Sequence, residues 1–295
     1  MKYPDYIITG PTASGKSDFA HNLAKKIGAT IINCDSVQIY RDIENISASP
    51  LAGRHDFDGA IDGVPYEMFS ILDLDMQLSV AEYMARARVA TDAAHRANRP
   101  VVFVGGTGYY INAIVGGISP MPDISDDVRA KARQMVRDDI DGARRLLGPD
   151  FAHRDPQRIA RALEVFLQTG EQISKFQSAP RIGGFMENAR RVLINPPANI
   201  LRRRIAARIP QMIDGGAMDE ARHIIDRGQN PNRAIGASQL CAYLGGEISR
   251  DECIQNWITK TNQYAKRQRT WFRTQFAPDI IIDHIPAEND VMRVI

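Results

Sequence analysis

Tyr6-Ile7-Ile8-Thr9-Gly10-Pro11-Thr12-Ala13-Ser14-Gly15-Lys16-Ser17 decides how the rest of this chain is read. A short apolar run ends in G-x-x-x-x-G-K-S, and Phe19, Ala20, Leu23, Ala24 and Ile27 follow at helical spacing. The order is strand, glycine-rich loop, helix. Glycines let backbone N–H groups turn inward around an oxyanion, and the helix N-terminus adds partial positive charge. Gly10, Thr12, Ala13, Ser14, Gly15, Lys16 and Ser17 are therefore candidate ligands of a phosphate or pyrophosphate. Lys16 would reach the outer phosphates, and the Ser17 hydroxyl is placed to hold Mg²⁺.

Composition narrows the class without naming a reaction. The chain has 295 residues, enough for one large domain or two smaller ones. It is 44% hydrophobic and 24% charged, which suits an ordinary globular protein with a sizeable core. The formal net charge is only +2, so any nucleic-acid surface must come from local clustering of Lys and Arg. Cys34, Cys241 and Cys253 have no metal-binding or C-x-x-C spacing and suit reduced cytosolic thiols. The first strand starts almost at once, so no signal peptide is expected, and no apolar run is long enough to span a membrane. A cytoplasmic location is the expectation. The histidines are scattered and read as surface or helix residues.

Working outward, Ala29–Asn33 reads as a second strand running into Cys34-Asp35-Ser36-Val37-Gln38. Ligands of open parallel sheets lie beyond the carboxyl ends of strands, which puts Asp35 near the phosphate loop; on local grounds Asp35 and Ser36 could equally cap a helix. Residues 50–75 are rich in Gly, Pro and Asp and read as irregular. Ser79-Val80-Ala81-Glu82 is a capping box opening a helix to about Asn98, with Ala81, Met84, Ala85, Arg88, Val89 and Ala93 along one face. Val101–Val104 is continuously apolar, as a parallel strand buried on both faces would be, and ends in Gly105-Gly106-Thr107. That turn would present the Thr107 hydroxyl on the same edge as Asp35. It could also be a tight strand-to-helix turn without a ligand.

Beyond the Pro-containing linker at 118–123 the strand pattern stops for some seventy residues. Helical segments rich in Arg, Asp and Ala predict an insertion over 118–188, dividing a catalytic core of 1–117 and 189–295. Arg158 and Arg161 lie one turn apart on one of its helices, a spacing that solvated charge alone explains as well as binding does. Arg191–Asn195 restores a strand. A helix carrying Arg202, Arg203, Arg204 and Arg208 follows, with Leu201, Ile205, Ile209, Met212 and Ile213 inward and Gly215-Gly216 as its end. Ala217–Arg227 reads as a separate helix with Met218, Ala221, Ile224 and Ile225 inward. Ser249-Arg250-Asp251-Glu252 caps a long helix to about Phe276, on which Lys266, Arg269 and Arg273 share a face. Ile280–Asp283 reads as a last strand.

The loop admits two enzyme classes: an ATP-dependent small-molecule kinase, or an enzyme that holds a departing pyrophosphate. An RNA-binding protein whose loop senses nucleotide is a third possibility. The set Gly10–Ser17, Asp35–Tyr40, Gly105–Thr107, Asp155–Val165, Ile235-Gly236 and Lys266–Trp271 resembles the tRNA dimethylallyltransferase family, in the family's order, across residues 6 to about 276. The resemblance implies an α/β, P-loop NTPase-like parallel sheet flanked by helices, with a helical insertion that contacts tRNA. It implies transfer of a dimethylallyl group from dimethylallyl pyrophosphate to N6 of the adenosine 3′-adjacent to the anticodon, in tRNAs reading codons that begin with U. By resemblance Asp35 is the general base, Thr107 contacts the reacting amine, and Arg208 joins the loop on the pyrophosphate. Asp35, Ser36, Val37 and Gln38 would read a flipped adenine, and Gln157, Arg158, Arg161, Lys266, Arg267, Arg269 and Arg273 would grip the anticodon stem-loop. Mg²⁺ is the implied cofactor, and a monomer the implied state. The chain departs from the family pattern at 42–50, at Pro65-Tyr66 and at Ala237-Ser238.

Overall fold

The computed structural model describes residues 2–295. Its contacts divide the chain into two compact units: the chain up to Val115 together with Met186–Ile295, and Gly116–Phe185.

The larger unit is a seven-stranded sheet in the order β3-β4-β2-β5-β1-β6-β7. Strands β1 (Tyr6–Thr9), β2 (Thr30–Asn33), β5 (Val101–Gly105), β6 (Arg190–Ile194) and β7 (Ile280–Ile282) pair in parallel. β1 lies between β5 and β6, and its register sets Thr9 beside Gly105 and Leu193. β1, β2 and β5 are buried at every residue, which is why they read as continuous apolar runs.

Residues 50–75, expected to be irregular, contain a hairpin. β3 (Ala60–Ile61) and β4 (Val64–Glu67) are antiparallel, and β4 continues the sheet by pairing with β2. The turn is Asp62-Gly63, both at positive φ, the two-residue hairpin chemistry that the surrounding Pro and Asp residues obscure.

Helix α1 (Lys16–Ile27) packs Phe19, Leu23 and Ile27 into one core with Tyr6, Ile8, Val102 and Val104, and ends at Gly28 in the left-handed region. Helix α2 (Val80–Arg96) starts at the Ser79–Glu82 capping box. Of the face expected only Met84 is buried; the other buried side chains are Tyr83, Ala87, Thr91 and Ala94, and Val89 is 67% exposed. The reason is Tyr83: it stacks on Tyr110 and donates to the Asn33 carbonyl at 2.9 Å, which rotates the helix toward that side. Helix α3 (Gly108–Gly116) follows β5.

The smaller unit holds α4 (Asp126–Asp138), α5 (Ile140–Leu146), α6 (Pro156–Thr169) and α7 (Ile173–Gln177). Ala132, Val136, Ala143, Leu147, Ile159, Ala162 and Leu163 form its own apolar core.

Back in the larger unit, α8 (Ala198–Met212) is followed by a break at the glycine pair expected to end it. Gly216 leaves the helical region (φ 122°), and this kink separates α8 from α9 (Met218–Asp226). On α9 the expected inward Ile225 is 47% exposed, and Glu220 is buried instead. Its carboxylate accepts from the Asn45 and Ile46 N–H groups at 2.7 and 2.8 Å, a polar anchor that apolar periodicity cannot reveal. Helices α10 (Ala237–Leu244), α11 (Arg250–Gln275) and α12 (Glu288–Val294) complete the unit. Trp257 and Ala265 of α11 pack with Ile205, Ile209 and Leu240 in a second core.

Candidate active site

The site forms where the ends of β1, β2 and β5 open beneath α8 and α11. The phosphate loop leaves β1 in a shape only part glycine: Gly15 has φ 88°, and Ala13 also lies in the left-handed region at φ 64°. Three contacts brace it. The Gln268 side chain accepts from the Thr12 N–H at 2.8 Å and donates to the Gly106 carbonyl at 3.0 Å, joining the loop to the β5 turn. Arg204 Nε donates to the Ala13 carbonyl at 2.9 Å, and Arg208 donates to the Thr12 hydroxyl at 2.8 Å. A Cβ on Gly106 would overlap the Gln268 amide, so this glycine is required for close approach.

Asp35 is fixed from behind. Asn33 accepts from the Asp35 N–H at 2.9 Å and donates to the Asp35 and Met68 carbonyls. One carboxylate oxygen of Asp35 accepts from the Val37 N–H at 3.0 Å, leaving the other uncommitted among these bonds. Thr107 sits across from it: its hydroxyl accepts from the Ser36 N–H at 2.9 Å and contacts Ser36 Oγ at 3.2 Å. Gln38 donates to the Ser47 and Ala48 carbonyls at 3.2 and 3.0 Å, tying this segment to the 47–48 turn. Cys34, between Asn33 and Asp35, is a buried thiol pushed up to about 12 by that burial, and so stays protonated.

The phosphate loop and the Asp35–Gln38 segment border one cavity of about 470 Å³; Thr107 lies behind Ser36 and is not part of its lining. Thr12–Ser17, Asp35–Gln38, Arg204 and Arg208 line one part of it, and Ile46, Ile209, Met212, Ile235 and Trp257 supply an apolar wall. Burial lowers the Lys16 pKa; the Asp35 charge opposes that shift and Arg208 adds to it. Burial and the neighbouring Arg204 likewise lower Arg208. Ser14 Oγ and Arg208 Nε are buried with no hydrogen-bond partner. Clustered, destabilised cations beside unpaired donors are what an anionic ligand relieves.

The basic residues expected to act together do not share one place. Arg267 lines this cavity, its guanidinium 5.7 Å from the Tyr264 ring centroid. Lys266, Arg269 and Arg273 line a different groove of about 840 Å³ with Arg202, Phe276 and Ile281. There Arg269 donates to Asn195 at 3.0 Å. In the smaller unit Gln157 and Arg158 are exposed on the first turn of α6, and Arg161 pairs at 3.0 Å with the buried Glu164, which also meets Arg133. Sequence reading passed over Asn33, Tyr264 and Gln268. The last lies inside the quoted Lys266–Trp271 motif, where attention fell on charge.

A parallel sheet, a glycine-rich loop with its lysine at a helix N-terminus, and a carboxylate at the next strand end define a P-loop-type enzyme acting on a phosphorylated substrate. A family model described as IPP transferase matches residues 38–275, and one described as isopentenyl transferase matches residues 4–56. A tRNA dimethylallyltransferase from Hyphomonas neptunium is 37% identical over 99% of this chain and 95% of its own length. One from Sphingopyxis alaskensis is 38% identical over 91% of this chain and 89% of its own. The structure of the full-length tRNA isopentenylpyrophosphate transferase from Bacillus halodurans superposes with a TM-score of 0.66 at 28% identity, covering 99% of this chain and 94% of that one. The chain belongs to the tRNA dimethylallyltransferase family.

Proposed function

We propose that this protein transfers the dimethylallyl group of dimethylallyl pyrophosphate to N6 of the adenosine 3′-adjacent to the anticodon, in tRNAs reading codons that begin with U. The observation that carries the reading is the single cavity joining an anion-seeking loop to Asp35, with apolar lining residues suited to a five-carbon chain.

The pyrophosphate lies in the loop, where Lys16, Arg208 and the Ser14 hydroxyl meet its oxygens. As the allylic C–O bond breaks, its electron pair leaves with the pyrophosphate, and these donors stabilise the charge that develops. The N6 lone pair forms the new C–N bond, and Asp35 takes the proton released from the amine. Thr107 accepts from the remaining N–H. The target base is extruded from the anticodon loop to reach Asp35, with Ser36, Val37 and Gln38 beside it. Lys266, Arg267, Arg269 and Arg273, and on the smaller unit Gln157, Arg158 and Arg161, bind the RNA backbone.

Mg²⁺ fits this donor set as an ion shared with the substrate. Ser17 offers one hydroxyl at the first turn of α1, and among the described residues no group of three His, Cys, Asp or Glu side chains would hold it independently. When bound, it supplies further charge neutralisation on the leaving pyrophosphate. No helix among the described residues is long and apolar enough to cross a membrane. The ATP-dependent kinase reading finds no counterpart among the relatives.

The test is incubation with labelled dimethylallyl pyrophosphate, Mg²⁺ and unmodified tRNA, followed by nucleoside analysis. Label on N6 of the adenosine beside the anticodon is the expected result. Unlabelled tRNA with a phosphorylated small molecule in parallel reactions would return the loop to kinase chemistry.

A further inference from the structure

A side-chain amide offers a ligand either its oxygen or its nitrogen, and the two make opposite demands on a base edge. Gln38 lines the cavity beside Asp35, so the direction of its amide decides what it reads. Its surroundings settle that direction. The Ser47 and Ala48 carbonyls accept from the Gln38 amide nitrogen at 3.2 and 3.0 Å, one for each N–H. A reversed amide would set its oxygen against two carbonyl oxygens. The Gln38 oxygen is therefore the atom left for a ligand.

Both carbonyls belong to a turn over residues 43–49. Within it the Ser47 N–H donates to the Ile43 carbonyl at 2.8 Å, the Ala48 N–H to the Asn45 carbonyl at 3.1 Å, and the Ser49 N–H to the Glu44 carbonyl at 2.8 Å. These bonds make the turn one piece. The Asn45 and Ile46 N–H groups point out of it, to Glu220 on α9. One Glu220 oxygen accepts from the Asn45 N–H at 2.7 Å and from the Asn45 side-chain amide at 2.8 Å; the other accepts from the Ile46 N–H at 2.8 Å. Glu220 is only 8% exposed, and a carboxylate so buried is costly unless its oxygens are engaged in this way. The Gln38 main chain is tied to the same turn: the Ser70 N–H donates to the Gln38 carbonyl at 3.0 Å, and the Ser70 hydroxyl donates to the Glu44 carboxylate at 2.6 Å.

We propose that Glu220 is a positioning residue for base specificity: by holding the Asn45 and Ile46 N–H groups it fixes the Ser47 and Ala48 carbonyls, and these turn the Gln38 oxygen toward the target base. An acceptor at that place favours a base edge that carries an amino group and opposes one that carries a carbonyl. It thereby separates adenine from hypoxanthine or guanine. Glu220 does not line the cavity and acts through Gln38. This inference rests on the base-reading role given to Gln38 above.

The test measures Kd by filter binding for two anticodon stem-loops, with adenosine or inosine 3′-adjacent to the anticodon. The wild-type protein should prefer adenosine; equal binding of the two overturns the inference. Glu220→Gln keeps the size of the side chain but sets an amide nitrogen against an N–H. It should reduce the adenosine preference about 3–10-fold. In a Gln38→Ala background no amide is left to orient, so the same substitution should leave the preference unchanged. A merely structural Glu220 would weaken both stem-loops alike, and a folded Glu220→Gln protein with the wild-type ratio overturns the inference. So does a further fall in the ratio when Glu220→Gln is added to Gln38→Ala. Should Glu220→Gln fail to fold, Asn45→Ala, which removes only the side-chain bond, decides: a smaller fall in the ratio supports the inference and a wild-type ratio overturns it. Each of these results leaves prenyl transfer in place. A wild-type protein that transfers no prenyl group to tRNA overturns the reaction, and this inference with it.

Discussion

The two faces of α11 carry different kinds of residues to different ends. On one face Trp257, Thr261 and Tyr264 recur every three or four residues and line the phosphate cavity, and Gln268, one turn further on, bonds the loop. Half a turn away Asn262, Lys266, Arg269 and Arg273 line the larger groove. Toward the first, hydrogen-bond capacity is either spent on the loop, as in Gln268, or buried and unpaired, as in Arg208 Nε. Toward the second, Lys266 and Arg273 are exposed, and Arg269 alone is tied, to Asn195. Fixed, desolvated donors can favour one charge distribution over another, which bond breaking needs. Solvated, mobile cations attract any phosphate backbone and select nothing.

The comparison can be broken by separating the two effects. The largest is expected from Asp35→Asn, which keeps the acceptor for the Val37 N–H and removes the base. Prenyl transfer should fall by about 10²–10⁴-fold in kcat while tRNA Kd in a filter-binding assay stays near wild type. Turnover near the wild-type value would remove Asp35 as the base. Next is Gln268→Ala, which leaves the Thr12 N–H and the Gly106 carbonyl unpaired beneath the loop. Stability in urea should drop by about 2–4 kcal/mol. KM for dimethylallyl pyrophosphate should rise, with no change in the salt dependence of tRNA binding. A shift in that salt dependence would mean the two faces are not separate. The smallest effect belongs to Arg269→Ala with Arg273→Ala. The slope of log K against log salt for tRNA should flatten by about 0.7–0.9 per lost phosphate contact, with a several-fold weaker Kd at moderate salt. An unchanged slope would place the RNA elsewhere.

Legibility in the sequence followed the range of each interaction. The phosphate loop was readable because strand, turn and helix signals are contiguous and the glycines act on their own backbone. The second and third parallel strands were readable because burial on both faces leaves an uninterrupted apolar run. The hairpin at 60–67 was lost because its Asp62-Gly63 signal sits among residues that individually suggest loop. The inward face of α2 and the buried Glu220 of α9 escaped the sequence for a related reason. Tyr83 and Glu220 are drawn in by hydrogen bonds to Asn33, Asn45 and Ile46, groups far away in sequence, and apolar periodicity carries no trace of such partners.

The sequence by itself therefore determined the anion-binding loop, the parallel sheet around it, and the residue types available for chemistry, since these depend on local backbone freedom and on the pattern of apolar residues. Only the tertiary structure decided that Arg267 and Tyr264 line the phosphate cavity while their neighbours Lys266 and Arg269 line another groove, and that Gln268 bolts the loop to the end of β5. Those assignments follow from which side of α11 packs on the sheet. That choice is made by the summed burial of Trp257, Ala265 and Phe272 against the core, and no single motif along the chain encodes it.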